Sequence, residues 1–177
     1  MHEPSDMALV AGLAAGREDA YAALYDRFAA RLLAAAWGML GSRDAAEDAV
    51  QDVFVNLVKS RASLAGVRDL QAYLFTSLRH AAARRAQRPE RREQSLEEAR
   101  DVSAQVQAAD DPATVERDPR LEHALAALPR EQREVVALRI DGGLTLAEAA
   151  AVLGISPNTA ASRYRYALEK LRERLAP

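Results

Sequence analysis

Three groups of side chains have types and spacings that could do chemistry. The first is acidic. Glu47, Asp48 and Asp52 follow one another at intervals of one and four residues, which on a helix gathers three carboxylates near one face. Such a face can hold a magnesium ion for hydrolysis or, with Gln51 and Asn56 beside it, dock onto a protein partner. Magnesium takes few carboxylates and several waters, so this spacing arises cheaply by chance and the docking reading is preferred. The second group mixes cations and aromatics: Tyr73, Phe75, Arg79, His80, Arg84, Arg85 and Arg88. Recognition of single-stranded nucleic acid needs cations for the backbone and a ring or pocket for an unstacked base. Leu74 and Leu78 are better spent in a core; Phe75 has a core place as its alternative, and Tyr73 suits either role with the core favoured. The third group is Ser156, Asn158, Thr159, Ser162, Arg163 and Arg165, whose side chains can read base edges and phosphates from the start of a groove-bound helix.

Other chemistry is excluded early. There is no cysteine, so no thiol nucleophile, thiolate metal site or disulfide framework is expected. His2, His80 and His123 lack ligand spacing, and no nucleophile–base constellation stands out. The expectation is therefore a non-enzyme with no catalytic residue, metal or cofactor. The nearly apolar run 32–40 is half of a bilayer span, and the N-terminus lacks a basic segment followed by an apolar one. A cytoplasmic protein is expected.

The elements that must position these groups are helices. Among 177 residues, 39 are alanine, aromatics make up 5%, and β-branched residues are scarce. Alanine is the best helix former, so an all-α fold is expected, in two small helical domains joined by a flexible linker. The first domain spans 7–88, with breaks at Gly41-Ser42 and around Ala65-Gly66, and the second spans 121–177, with breaks at Pro129, Gly142-Gly143 and Gly154-Ile155. Between them, 89–120 holds Pro89, Pro112 and Pro119 and few large apolar residues, too little to offset the entropy of ordering. The net charge of −2 conceals segregation: residues 84–92 carry five arginines and one acid, 93–118 eight acids and two arginines, and 159–174 five basic residues and two acids. Two basic surfaces on an acidic tether fit a bipartite contact with a polyanion.

Local signals sharpen both domains. Val50, Val53, Phe54, Leu57 and Val58 repeat at helical spacing and predict one buried stripe, opposite the polar face of Glu47, Asp48, Gln51, Asp52 and Asn56. In the second domain Thr145 and Glu148 form a capping box. Ala150 is small where two helices must cross, Gly154 turns, Ile155 plugs the corner, Ser156 caps the next helix, and Pro157 stands at its first position. That series is a helix-turn-helix signature. Leu168, Leu171 and Leu175 are expected to continue the buried stripe, with Leu125, Leu128, Val135, Val136, Leu138 and Ile140 covering the motif. Arg133 and Arg139 are candidate phosphate contacts, with surface ion pairs as the alternative.

Three stretches together resemble an extracytoplasmic-function (ECF) sigma factor of the sigma-70 family, a promoter-recognition subunit of RNA polymerase. Ala46-Glu47-Asp48-Ala49-Val50-Gln51-Asp52-Val53-Phe54 is similar to the region 2 helix that docks on the β′ clamp helices. Ala72-Tyr73-Leu74-Phe75 through Arg85 resembles the part that captures the opened −10 element, although a tryptophan is common where Tyr73 stands. Leu128-Pro129 through Leu171 resembles region 4, with Ala160 and Ala161 where the family often has a branched aliphatic and a basic residue.

The resemblance implies core RNA polymerase (β′ clamp helices and β subunit) and promoter DNA as partners, and admits an anti-sigma factor. It implies polymerase binding by Glu47, Asp48, Gln51, Asp52 and Asn56. A flipped −10 base would be held by the loop from Ser60 to Asp69 and by Tyr73, Arg79, His80, Arg84, Arg85 and Arg88. Reading of the −35 duplex would fall to Ser156, Asn158, Thr159, Ser162, Arg163 and Arg165. The linker would thread through polymerase. The alternative is a stand-alone helix-turn-helix regulator, which would need a dimer to read two half-sites.

Overall fold

The computed structural model describes residues 5–87 and 118–176. Arg88 and nearly all of the expected linker lie outside the described residues. Among the described residues the regular elements are all helical, as the alanine content predicts.

Helix α1 (Asp6–Ala14) is capped by the Ser5 hydroxyl, and a turn at Ala15–Arg17, which sequence periodicity passes over, leads into α2 (Glu18–Leu40). Leu24, Phe28, Leu32, Ala35, Ala36 and Met39 supply the buried stripe of α2. Gly41 stops it, and the two-residue connection folds α3 (Arg43–Lys59) back alongside. A short helix α4 (Arg61–Leu64) lies within the segment 60–69 that sequence reasoning treats as a loop. Helix α5 (Leu70–Ala86) starts at the Asp69 cap and buries Leu70, Leu74, Phe75, Leu78, Ala81 and Ala82.

In the second block, α6 (Pro119–Ala126) begins inside the stretch read as linker, because Asp118 caps it and proline is tolerated at a first position. Helix α7 (Arg130–Val136) runs on into a π-helical segment, Ala137–Asp141. Helix α8 (Leu146–Leu153) carries the complete Thr145–Glu148 capping box, and Gly154 ends it at φ 66°, a backbone that disfavours other residues. Ser156 then caps α9 (Pro157–Leu175), completing the helix-turn-helix.

The two blocks share one core. Val135, Ala137, Leu138, Leu144, Ala149, Val152 and Leu153 pack into the same apolar cluster as the buried faces of α1 to α5. Ala124, Leu128, Val136, Ala167 and Leu171 make a separate satellite. The contact is close enough to require glycine: a Cβ on Gly38 would come 2.9 Å from Ala137 Cβ and against Asp141 Oδ2, and one on Gly142 would come 2.9 Å from the Phe75 ring.

Three apolar expectations need correction. Val58 is 53% exposed, because α3 is covered on one side only and Val50, Val53 and Leu57 fill that side. Ile140 is 58% exposed, because the π turn adds a residue and rotates it away from the core. Leu168 is 37% exposed, its expected place in the stripe taken by the fully buried Ala167.

Candidate partner and nucleic-acid interfaces

The acidic face forms as its spacing predicts. Glu47, Gln51 and Asn56 are exposed along α3, and Asp48 and Asp52 are half-buried beside them. Glu47 pairs with Arg43 one turn back, 2.9 Å away. Asp48 and Asp52 are bridged by Arg85 of α5: Nη1 donates to Asp48 Oδ2 at 2.9 Å, and Nη2 donates to Asp52 Oδ2 at 2.8 Å and to the Asp48 carbonyl at 3.1 Å. Two of the three acids that a magnesium site would use are thus held by a cation. The face also carries apolar surface, with Val55 and Val58 exposed and Tyr25 of α2 against Phe54, ring centroids 5.2 Å apart.

Helix α5 divides the basic and aromatic group. Leu74, Phe75 and Leu78 are fully buried, and Tyr73 is half-buried against the same core. His80 and Arg84 are exposed, whereas Arg85 turns toward α3 and Arg79 toward α7. Arg79 Nε stands 3.9 Å from a Glu134 carboxylate, which also accepts from Arg130 Nε at 2.8 Å. The start of α5 faces α8 across a groove lined by Ala72, Leu144, Ala147, Ala151 and Val152.

The helix-turn-helix presents a cleaner surface. Asn158, Thr159, Ala161 and Arg165 are exposed on the first turns of α9, with Ser162 and Arg163 half-buried. Ser156 is committed to capping: its Oγ accepts from the Thr159 amide at 3.0 Å and lies 2.8 Å from the Thr159 hydroxyl. Arg163 pairs with Glu131 of α7 at 3.4 Å, while the Arg165 guanidinium lies over the Tyr166 ring. Ala160 is fully buried, so at that position the chain needs a packing residue, whatever Ala161 beside it touches.

Each candidate phosphate contact in the cover spends one guanidinium N–H inside the chain, and Arg139 is exposed. Arg133 donates to the Ala126 carbonyl and Arg139 to the Leu144 carbonyl, both at 3.1 Å, and burial pulls Arg133 below its ordinary pKa. Arg31 is a residue that sequence reasoning passes over. Its Nε and Nη2 donate to the Gly142 carbonyl at 2.9 and 2.7 Å, and Nη2 also donates to Gln71 Oε1 at 2.8 Å. Gln71 in turn donates to Glu148 Oε1 at 3.2 Å, so α2, α5 and the helix-turn-helix are joined through one guanidinium. Desolvation lowers the Arg31 pKa, while the amide and hydroxyl of Thr145 hold Glu148 below the usual carboxylate range. No local pattern marks these partners, because they come from distant parts of the chain.

Comparison with known proteins finds a different family model on each of the two helical blocks. The family model for sigma-70 region 2 matches residues 24–93, and that for sigma-70 region 4 matches residues 124–173. The chain is 31% identical over 160 residues to the RNA polymerase sigma factor CarQ of Myxococcus xanthus, covering 90% of this chain and 91% of CarQ. Among solved structures it resembles CnrH in complex with the cytosolic domain of CnrY, with TM-score 0.70, 27% identity and 96% of each chain covered. It also resembles the sigma factor RpoE bound to the anti-sigma factor NepR from Bartonella quintana, with TM-score 0.59, 28% identity, and 81% and 89% of the two chains covered.

Proposed function

The chain belongs to the sigma-70 family as an ECF-type RNA polymerase sigma factor, and on that premise we propose how its surfaces divide the work of promoter recognition. It binds core RNA polymerase and directs initiation at its promoters. Polymerase performs the phosphoryl transfer, so this chain's residues need only bind, orient and hold DNA open.

The polar face of α3 docks on the β′ clamp helices through Glu47, Asp48, Gln51, Asp52 and Asn56. The observation that carries this assignment is the line of exposed or half-exposed polar groups on α3, flanked by the uncovered side chains of Val55 and Val58. An interface needs such an apolar centre with a polar rim. The test is binding to purified core polymerase. Asp48→Ala with Gln51→Ala is expected to weaken the complex by about 10- to 100-fold, the range for losing buried polar partners at an interface. Absence of any complex with the wild-type chain, alongside duplex binding by the free protein, would instead favour a stand-alone regulator.

The start of α9 reads the −35 duplex. Asn158, Thr159, Ser162 and Arg165 form the reading group, and Ser156 acts through the cap. Arg163 has to leave Glu131 to join them. Replacing Arg165 by alanine is therefore expected to flatten the dependence of log Kd on log salt by about one unit, as for one lost phosphate contact. Arg163→Ala should change the slope less, because breaking its pair with Glu131 opposes its binding to phosphate. Equal slopes for wild type and Arg165→Ala would remove Arg165 from the interface.

The surface of α5 that receives the melted −10 strand, with Tyr73, Arg79, His80 and Arg84, is partly covered by α7 and α8. The Arg31–Gly142 and Gln71–Glu148 bonds tie that cover to α2 and α5, with Glu134 3.9 Å from Arg79. Seating of the −10 base beside Arg79 thus requires the second block to swing off α5, whereas His80, Arg84, the docking face of α3 and the reading face of α9 stay accessible in the closed chain. The two solved relatives were captured with an anti-sigma factor or a cytosolic partner domain, and a protein inhibitor that favours the closed form is consistent with this arrangement.

A further inference from the structure

We propose that Arg85 is a positioning residue for the polymerase-docking face and does not contact DNA; the inference rests on the docking role of Asp48 and Asp52. The basic run that contains Arg85 points by composition to phosphate, yet the side chain lies over the neighbouring helix. Its guanidinium makes three bonds there, to both carboxylates and to the backbone carbonyl of Asp48. The Arg85 side chain is 15% exposed, against 45% and 41% for Asp48 and Asp52. The cation sits behind the acids, and the acids lie between it and solvent.

The physical need is clear from the spacing. Asp48 and Asp52 are one helical turn apart, where like charges repel and each side chain would otherwise sample several rotamers. A cation shared between them removes the repulsion and fixes both carboxylates at one orientation, with their outer edges at the surface. Arginine suits the task because its rigid planar fork can serve two carboxylates and a carbonyl at once. A lysine offers a compact charge without that fork. Contact of Arg85 with a DNA phosphate would require it to abandon both acids and the carbonyl, leaving the docking face with uncompensated charge. Its neighbour Arg84 is exposed and remains available to nucleic acid.

The experiment is a double-mutant cycle on the full chain, read as affinity for purified core polymerase. Arg85→Met keeps the apolar stem, removes the fork, and is expected to weaken binding by about tenfold. Arg85→Lys should fall between wild type and Arg85→Met. Asp48→Asn with Asp52→Asn should weaken binding too, and adding Arg85→Met to that pair should cost nothing further. Once saturated with core polymerase, the wild-type chain and the Arg85→Met variant should bind a single-stranded −10 oligonucleotide equally well.

Each alternative outcome overturns a distinct statement. If the Asn pair weakens core binding and Arg85→Met does not, the positioning role is wrong and the docking face stands. If neither weakens it, the docking assignment fails and the positioning role fails with it. An equal loss from Arg85→Met with and without the Asn pair would show a general folding contribution in place of positioning. A loss of oligonucleotide affinity in saturated holoenzyme would return Arg85 to the DNA.

Discussion

Phe75→Ala is expected to destabilise the protein by about 3–5 kcal/mol, a large share of the roughly 5–15 kcal/mol that holds a domain folded. The ring is fully buried in α5, stands close enough to Gly142 to forbid a side chain there, and lies 5.6 Å from the Arg31 guanidinium. Removing it leaves a cavity where α5, α2 and the second block meet, and leaves Arg31 with the Phe28 ring alone beneath it. The measurement is the urea midpoint followed by helical circular dichroism. Ile140→Ala, at an exposed site, serves as the control and should shift stability by less than about 0.5 kcal/mol. Similar midpoints for the two variants would mean that Phe75 is not at the centre of the core.

Gly38→Val tests whether the two helical blocks are packed together as closely as the structure has them. Valine would set its Cβ against Asp141 Oδ2 and 2.9 Å from Ala137 Cβ, closer than side-chain carbons approach. Both neighbours belong to the π segment, so the cheapest relief is movement of that segment and the helices that follow it. Overpacking of this kind costs about 1–3 kcal/mol. The radius of gyration in solution should rise, and thermal unfolding should broaden or split as the blocks cease to melt as one. With α8 lifted from α5, the free chain should also bind a −10 oligonucleotide more tightly than wild type. An unchanged radius with a single transition would show that the interface gives way without opening.

Much of the fold is legible in the sequence because its determinants are local. The helix-turn-helix follows from a capping box, a turn glycine and a capped proline start, all satisfied by near neighbours in the chain. The stripe of α3 follows from spacing at Val50, Val53 and Leu57. Periodicity fails where it must assume that a helix is covered as widely as its apolar residues run. Val58 and Leu168 continue their patterns beyond the width of the partner surface, and the π turn at Ala137–Asp141 shifts the phase under Ile140.

The candidate sites divide along the same physical line. Residue order alone is enough for the family, the succession of the two helical blocks, and the helices that carry the acidic, basic and candidate duplex-reading groups, because caps, spacing and residue type act within a turn or two. Which arginine faces which partner emerges only when the helices are packed. Arg84 and Arg85 are chemically alike and adjacent, yet one is exposed and the other spans two aspartates. Arg79, Arg163 and Arg31 likewise take their partners from Glu134, Glu131 and Gly142, elsewhere in the chain. A guanidinium bonds any carboxylate, carbonyl or phosphate within reach, so its type says what it can bind, and only the packing of α2, α5 and α7 determines what is near enough to be bound.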